Sequence, residues 1–282
     1  MEAVVQKSIV TNQYTVKITI DSFNKRIRLD DYCGNVLQIL ANVENLAQKE
    51  QAQKLIIKGK RKDYPLFLEH GFQCEGVIDH YFLGEDAYLF CKYITTVRKN
   101  SQYWLEEENI IYSVKELEVD YVVKEVPNSY QLIKATKEDS KMLSQLYQKV
   151  FKIYPTPLHQ PTYIEKTMEE GTIYVAIKDG EKIVCAASAE KNLFYKNAEV
   201  TDCATLPEHR KNGLLKILLM ELERVLKREG YYCAYSLARA LSFGMNAALQ
   251  QLGYRYRGRL INNCYIFDKL ENMNIWVKDL SL

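Results

Sequence analysis

The chain has 282 residues, 47% of them apolar and 26% charged, and a net charge of +2 at pH 7. That length allows two domains of ordinary size, while the near-neutral balance offers no basic footprint for nucleic acid or a membrane surface. No apolar run approaches a membrane span and the N-terminus lacks a signal-peptide hydrophobic region, so a cytoplasmic protein is expected. Seven cysteines without a C-x-x-C pair, and only four histidines, suggest neither a disulfide framework nor a metal site.

Residues 10–32 hold short alternating pieces, Tyr14–Ile20 and Arg26–Leu29 among them, which read as a β-hairpin or meander. Val36–Gln53 sets Leu37, Leu40, Val43, Leu46 and Ala47 on one helical face. Lys54–Lys58 is a short strand, and Asp63–His70 a second helix stopped by Gly71. Val77–Phe82 and Ala87–Ile94 read as strands joined around Gly84-Glu-Asp. This half contains no glycine-rich phosphate loop. Tyr103–Lys124 is acidic and reads either as a helix crossing between domains or as a strand added to a sheet. Pro127-Asn-Ser129 has linker chemistry, which divides the chain into domains 1–126 and 130–282.

A strand at Tyr130–Ile133 leads to a helix over Lys137–Phe151, with Thr136 and Asp139 as cap and first-turn acid. The prolines of Tyr154–Pro161 exclude regular helix or central strand, and Tyr163–Glu170 is a short helix. Gly171–Ile177, Lys182–Glu190 and Ala198–Leu206 read as three antiparallel strands, the first two joined by an Asp179-Gly180 hairpin turn. The last strand runs through a polar loop into a helix with apolar residues at Leu214, Leu215, Ile217, Leu218, Leu222, Val225 and Leu226. Tyr232–Arg239 is a strand, Ser242–Leu252 a helix stopped by Gly253, and Tyr254–Arg259 and Cys264–Phe267 are final strands.

The loop Arg210-Lys-Asn-Gly213 carries the chemistry of phosphate binding. The first turn of a helix leaves N–H groups unpaired with a partial positive charge, and the basic side chains add to it. Arg210-Lys-Asn-Gly213-Leu-Leu215 resembles the R/Q-x-x-G-x-G/A signature of the GNAT acyltransferases, with Pro207-Glu-His as a common lead-in and Leu215 where Gly or Ala is usual. The resemblance implies an α/β (α+β) fold with a central mixed, mostly antiparallel sheet, and acetyl-CoA as co-substrate. It further implies that the pantetheine arm meets the main chain of Cys203, Ala204, Thr205 and Leu206, and the pyrophosphate Arg210, Lys211, Asn212, Gly213, Leu214 and Leu215. Asn246 could touch the same arm or serve as a capping and packing residue.

Three further stretches are similar to the bacterial and archaeal β-lysine N-acetyltransferases: Ala198–Glu208, Ser236–Asn246 and Gly253–Cys264. The tail Glu271-Asn-Met-Asn-Ile-Trp276 looks like that family's too. The similarity implies acetyl transfer to the ε-amine of β-lysine. Acetylation of lysine, a polyamine or a peptide, or a non-catalytic acyl-CoA sensor, are the alternatives. There is also an internal echo: His70-Gly-Phe-Gln-Cys-Glu-Gly76 lines up with Leu252-Gly-Tyr-Arg-Tyr-Arg-Gly258, and Glu85–Lys92 with Glu271–Lys278. It suggests that the N-terminal domain is a smaller, degenerate GNAT-like unit, which could shape the active site, form a homodimer or merely stabilise the chain.

An alkyl ammonium has a pKa of roughly 10.4, so only about one in 2,500 is neutral at pH 7, and a base must take its proton near the reacting centre. Glu190, Glu199 and Asp202 lie on the central strands, with Glu190 and Asp202 the candidates for catalysis. Cys203 is an unsuitable nucleophile, because burial beside an acid keeps a thiol protonated. The position where many GNAT enzymes carry a tyrosine acid is Leu249, leaving Tyr154, Tyr235, Tyr265 or a water as donor. A small-molecule amine such as β-lysine presents a carboxylate, for which Arg239 offers a fork. Arg259, Asn262 and Asn263 are alternative substrate contacts, and Tyr154 is another.

Overall fold

The computed structural model describes residues 4–120, 122, 126–266 and 269–281. The expected element ends at Lys124 and Phe267 lie outside the described residues, as do the outermost ends of the two expected domains. The first half runs β1 (Val5–Val10), β2 (Tyr14–Asp21), β3 (Arg26–Gly34), α1 (Val36–Lys49), β4 (Lys54–Gly59), α2 (Tyr64–Glu69), β5 (Gln73–Phe82) and β6 (Glu85–Tyr93). Two helices follow, α3 (Thr96–Lys99) and α4 (Trp104–Lys115), so the acidic stretch is helical where it begins. The second half runs β7 (Tyr130–Lys134), α5 (Ser140–Val150), α6 (Pro161–Glu169), β8 (Ile173–Asp179), β9 (Lys182–Asn192), β10 (Asn197–Thr205) and α7 (Leu214–Arg228), then β11 (Cys233–Arg239), α8 (Phe243–Gln251), β12 (Arg255–Ile266) and β13 (Lys269–Asp279).

All the described strands join one sheet in the order β1-β2-β3-β4-β6-β5-β12-β13-β11-β10-β9-β8-β7. With β7 set aside, the order β1-β2-β3-β4-β6-β5 is matched, strand for strand, by β8-β9-β10-β11-β13-β12. In each unit the only parallel pair among the described strands flanks the long helix: β3 with β4 around α1, and β10 with β11 around α7. The echo in the sequence is thus an echo in topology. The units differ at the strand-to-helix turn, where a single residue, Asn35, separates β3 from α1 and caps it, its side chain accepting from the Gln38 N–H.

Alternation along the strands explains the layering. Ile27 and Leu29 on β3, with Ile18, Ile20, Leu55 and Ile57, bury against Ile39, Leu40 and Val43 of α1. Ala198 and Val200 on β10 bury with Leu218, Leu222 and Leu226 of α7 and with Leu143 and Leu146 of α5. Each such fully buried aliphatic side chain contributes about 1.5–3 kcal/mol. The alternate residues point the other way, and there the two units share one core: Ile56, Ile78, Tyr81 and Leu89 pack with Tyr235, Leu260, Ile275 and Val277. The faces turned away from α1 and α7 therefore meet each other.

The units join at β5 and β12, where Gly76 pairs with Gly258. A Cβ on Gly258 would stand 2.3 Å from the Glu75 carbonyl oxygen and 2.6 Å from the Gly76 Cα, and one on Gly76 2.7 Å from the Arg257 carbonyl oxygen. Both positions close the two aligned segments of the sequence echo. Around the joint Lys54 and Glu75 form a buried ion pair at 2.8 Å, and Lys54 also donates to the Ile261 carbonyl. The Asn197 side chain donates to the Tyr81 carbonyl at 2.7 Å.

Strand β1 and the short helix α3 lie outside the expected elements, and two stretches of the second half also depart from them. β12 is one strand, not two, with its register shifted between Leu260 and Cys264 and Asn262 at a φ of 44°. The tail is a full strand, β13, lying between β12 and β11.

Candidate active site

β10 and β11 pair only over Asn197–Glu199 with Cys233–Tyr235, although β10 continues to Thr205 and β11 to Arg239. On its other side β10 carries a bulge between Thr201 and Ala204, where Asp202 has a φ of 52°. A bulge bends its strand and breaks the ladder locally. Ala204 and Thr205 remain paired with Ala186 and Cys185 of β9, but on the side toward β11 the main chain of Cys203, Ala204 and Thr205 has no strand partner among the described residues. Leu206 continues the path, its N–H donating to the Val184 carbonyl. An extended arm bearing amide groups can add to such an opened edge.

The opening leads to the loop before α7. A short turn at Pro207–His209 is followed by Lys211 and Gly213, with φ of 67° and 72°. A Cβ on Gly213 would meet nothing within 4 Å, so glycine is needed there for its conformation and not for space. Arg210, Lys211, Asn212 and Gly213 are exposed. Arg210 Nε reaches the Thr205 carbonyl at 3.4 Å, and the Asn212 amide donates to the His209 carbonyl at 3.3 Å. Among the described residues the N–H groups of 211–216 make no main-chain hydrogen bond outside the helix. Leu214 is buried and Leu215 packs against the core, so the bulk of Leu215 points inward and leaves the donors clear. These residues fit a pyrophosphate. Arg210→Ala is expected to weaken acetyl-CoA binding about tenfold with an unchanged melting temperature, measured by calorimetric titration; an unchanged Kd would remove the loop from the binding site.

Beside the bulge lie the acids. Ser188 Oγ donates to Asp202 Oδ2 at 2.7 Å, and the Tyr154 hydroxyl lies close enough to that carboxylate to interact with it. Tyr154 is fixed by stacking on Phe151, the ring centroids 4.3 Å apart. Burial pushes the Asp202 carboxyl above the usual carboxylate range, against the pull of Ser188 and Tyr154. Glu190 and Glu199 are cross-strand partners, and Glu199 is in turn opposite Tyr235, so the three form a row on one face. Glu190 is exposed by surface area yet surrounded by protein, which places it in an open recess. Enclosure first, then the charges of Glu199 and Asp202, raise its pKa, while Arg28 and Lys58 oppose the rise; water in the recess screens part of the effect. Such a carboxylate near a reacting amine can serve as base.

Other expected site residues are engaged elsewhere. Arg239 forks onto Glu271 with bonds of 2.7 and 2.6 Å, tying β11 to β13. The Asn246 amide donates to the Arg239 and Ser242 carbonyls and accepts from Asn274 and Trp276. Four bonds exhaust an amide side chain, so Asn246 is a packing residue with no polar capacity left for a ligand. The Asn262 side chain donates to the carbonyls of Arg98 and Asn100. At Asn263 it is the main-chain carbonyl that accepts from Arg26 and Arg98, while the buried side-chain Oδ1 has no hydrogen-bond partner among the described residues. Both anchor β12 to the first half of the chain. Arg259 bonds Asn274 and pairs with Glu108 at 2.9 Å. Burial raises the Cys203 thiol far above its usual pKa, which agrees with an inert cysteine.

The recess has a second wall that sequence reasoning did not foresee. Lys58 on β4 donates to the Tyr81 hydroxyl at 3.1 Å and pairs with Asp30 on β3 at 3.0 Å, and the Tyr81 ring lies 5.8 Å from that of Tyr235. Only the alternation of Arg28 and Asp30 with Ile27 and Leu29 hints at a polar face here.

Residues 140–254 match the model of the acetyltransferase (GNAT) family. The chain is 41% identical to the N-acetyltransferase YodP of Bacillus subtilis over 97% of its own length and 99% of that protein. It is 36% identical to the beta-lysine N(6)-acetyltransferase of Methanococcus maripaludis, over 93% of this chain and 95% of that one. With the enzyme of the same name from Methanosarcina mazei it shares 33% identity over 89% of this chain and all of that one. The strand opening, the donor loop on α7 and the end-to-end similarity agree: this chain belongs to the GNAT family and is an N-acetyltransferase.

Proposed function

We propose that the enzyme moves acetyl from acetyl-CoA to the ε-amine of β-lysine in a cytoplasmic setting. The observation that carries this reading is the row of Glu190 and Glu199 with Asp202 beside the β10–β11 opening, an arrangement suited to a substrate with two ammonium groups. The names of two relatives aligned along nearly the whole chain point to the same substrate.

In this reading Cys203–Leu206 and Arg210–Leu215 hold acetyl-CoA, which supplies a thioester carbon open to attack. Glu190 removes a proton from the substrate ammonium, giving the neutral nitrogen that attack requires. Tyr154, protonated and close to Asp202, gives its hydroxyl proton to the departing sulfur, and the resulting tyrosinate takes up the second proton that the new amide nitrogen sheds. The N-terminal unit, within 1–126, is a worn copy of the catalytic unit within 130–282 and supplies the far wall of the recess. Its strand-to-helix turn at Asn35 is too short for a phosphate loop.

Release of CoA thiol from acetyl-CoA, with β-lysine, lysine, spermidine and a short peptide compared side by side, tests the substrate. The expected result is a preference for β-lysine of at least tenfold in kcat/KM. Turnover confined to another amine would keep the family and discard β-lysine, and tight acetyl-CoA binding without any turnover would favour a sensor.

A further inference from the structure

We propose that Arg28, carried on β3 of the N-terminal unit, is the group that receives the substrate's carboxylate, so that the catalytic site is completed by the unit without a phosphate loop. The inference rests on the reading of the substrate as an amino acid bearing a second amine.

The supporting geometry is a continuous line of side chains across the two units. Glu190, Glu199 and Tyr235 stand side by side on β9, β10 and β11. The Tyr235 ring faces that of Tyr81 on β5, whose hydroxyl accepts from Lys58 on β4. Lys58 is paired with Asp30, and Asp30 accepts from Thr19 at 2.6 Å. Arg28 sits at the end of this line with its charge only loosely matched. Its Nε is 3.8 Å from Asp30 Oδ1, beyond hydrogen-bond distance, and that buried nitrogen has no hydrogen-bond partner among the described residues. The side chain is 32% exposed by surface area yet surrounded by protein, the same combination that Glu190 shows.

Charge logic favours the same assignment. Asp30 is shared: Thr19 donates to it, Lys58 pairs with it at 3.0 Å, and Arg28 approaches it only to 3.8 Å, while Arg28 also feels, more weakly than that of Asp30, the charges of Glu199 and Glu190. A ligand with an ammonium at each amine and a carboxylate at its end matches that pattern of acids and one loosely paired arginine. A planar guanidinium binds a carboxylate through two parallel bonds, which a lysine cannot reproduce. A polyamine, with no carboxylate, would leave Arg28 unanswered and place further positive charge against it.

The test compares β-lysine with its amide, which keeps both amines and loses the carboxylate charge, on the wild type, Arg28→Gln and Arg28→Lys. Arg28→Gln is expected to raise KM for β-lysine about 10–100-fold, the loss of a charged hydrogen-bonded pair. KM for the amide should move less than about twofold, kcat should change little, and Arg28→Lys should recover part of the β-lysine KM. Equal losses on acid and amide would assign Arg28 a structural role and overturn the proposal, and melting temperatures read alongside would expose a folding defect. A wild type that prefers an amine with no carboxylate would overturn both the substrate reading and this inference. A wild type that uses β-lysine, with Arg28→Gln indifferent to the carboxylate, would overturn the inference alone.

Discussion

Glu190→Gln is expected to lower kcat by ~10²–10⁴, the usual worth of a positioned general base, while leaving the Kd for acetyl-CoA and the melting temperature where they were. The substitution keeps size and removes the only function that deprotonation needs. The pH profile carries the sign. Burial, Glu199 and Asp202 raise the pKa of Glu190, so the base is protonated and idle at low pH and becomes competent as the pH climbs through that raised value. The acidic limb of wild-type kcat/KM should therefore lie above the ordinary glutamate pKa of roughly 4.3, and that limb should vanish in Glu190→Gln. Stopped-flow or steady-state rates between pH 5 and pH 9, a range of about two units either side of neutrality, would show it. Wild-type rates in the variant would transfer the role of base to Asp202 or a water.

Gly258→Ala should be strongly destabilising, although it adds a single methyl. The new Cβ would lie 2.3 Å from the Glu75 carbonyl oxygen, at a residue whose φ of 134° disfavours any side chain. Backbone strain and overpacking together predict a loss of about 2–5 kcal/mol, or roughly 5–15 °C in melting temperature. Because this strand pair joins the two units, the loss should fall on amine use before acetyl-CoA binding, whose groups lie within the second unit. A variant that melts like the wild type would mean that the joint relaxes freely.

Much of the second unit was legible because its signals are local. Alternation marks Ala198–Thr205 as a strand, and β10 spans Asn197–Thr205. Gly213 announces a left-handed turn before an amphipathic helix, and it caps α7 in that conformation. The illegible parts depend on partners far along the chain. Arg239 reads as a cleft-facing strand end, but Glu271, 32 residues later, claims it. The buried asparagines Asn272 and Asn274 spoil the apolar alternation of β13, since they are satisfied by Glu107 and Asn246 from other elements. The Asn262-Asn263 pair resembles a turn between strands because it occupies a kink with positive φ inside one strand. Arg28, Asp30 and Lys58 carry no motif. Their position at the recess follows from the curl of the whole sheet, which brings the faces away from α1 and α7 together.

The most direct measurement is to incubate the purified chain with acetyl-CoA and β-lysine and to locate the acetyl group in the product by tandem mass spectrometry and NMR. The predicted product carries one acetyl, on the ε-nitrogen, formed in step with CoA release. Acetyl on the β-nitrogen would mean that the substrate lies reversed between Glu190 and Arg28. No acetylated β-lysine, from a preparation that binds acetyl-CoA, would contradict the assignment of substrate.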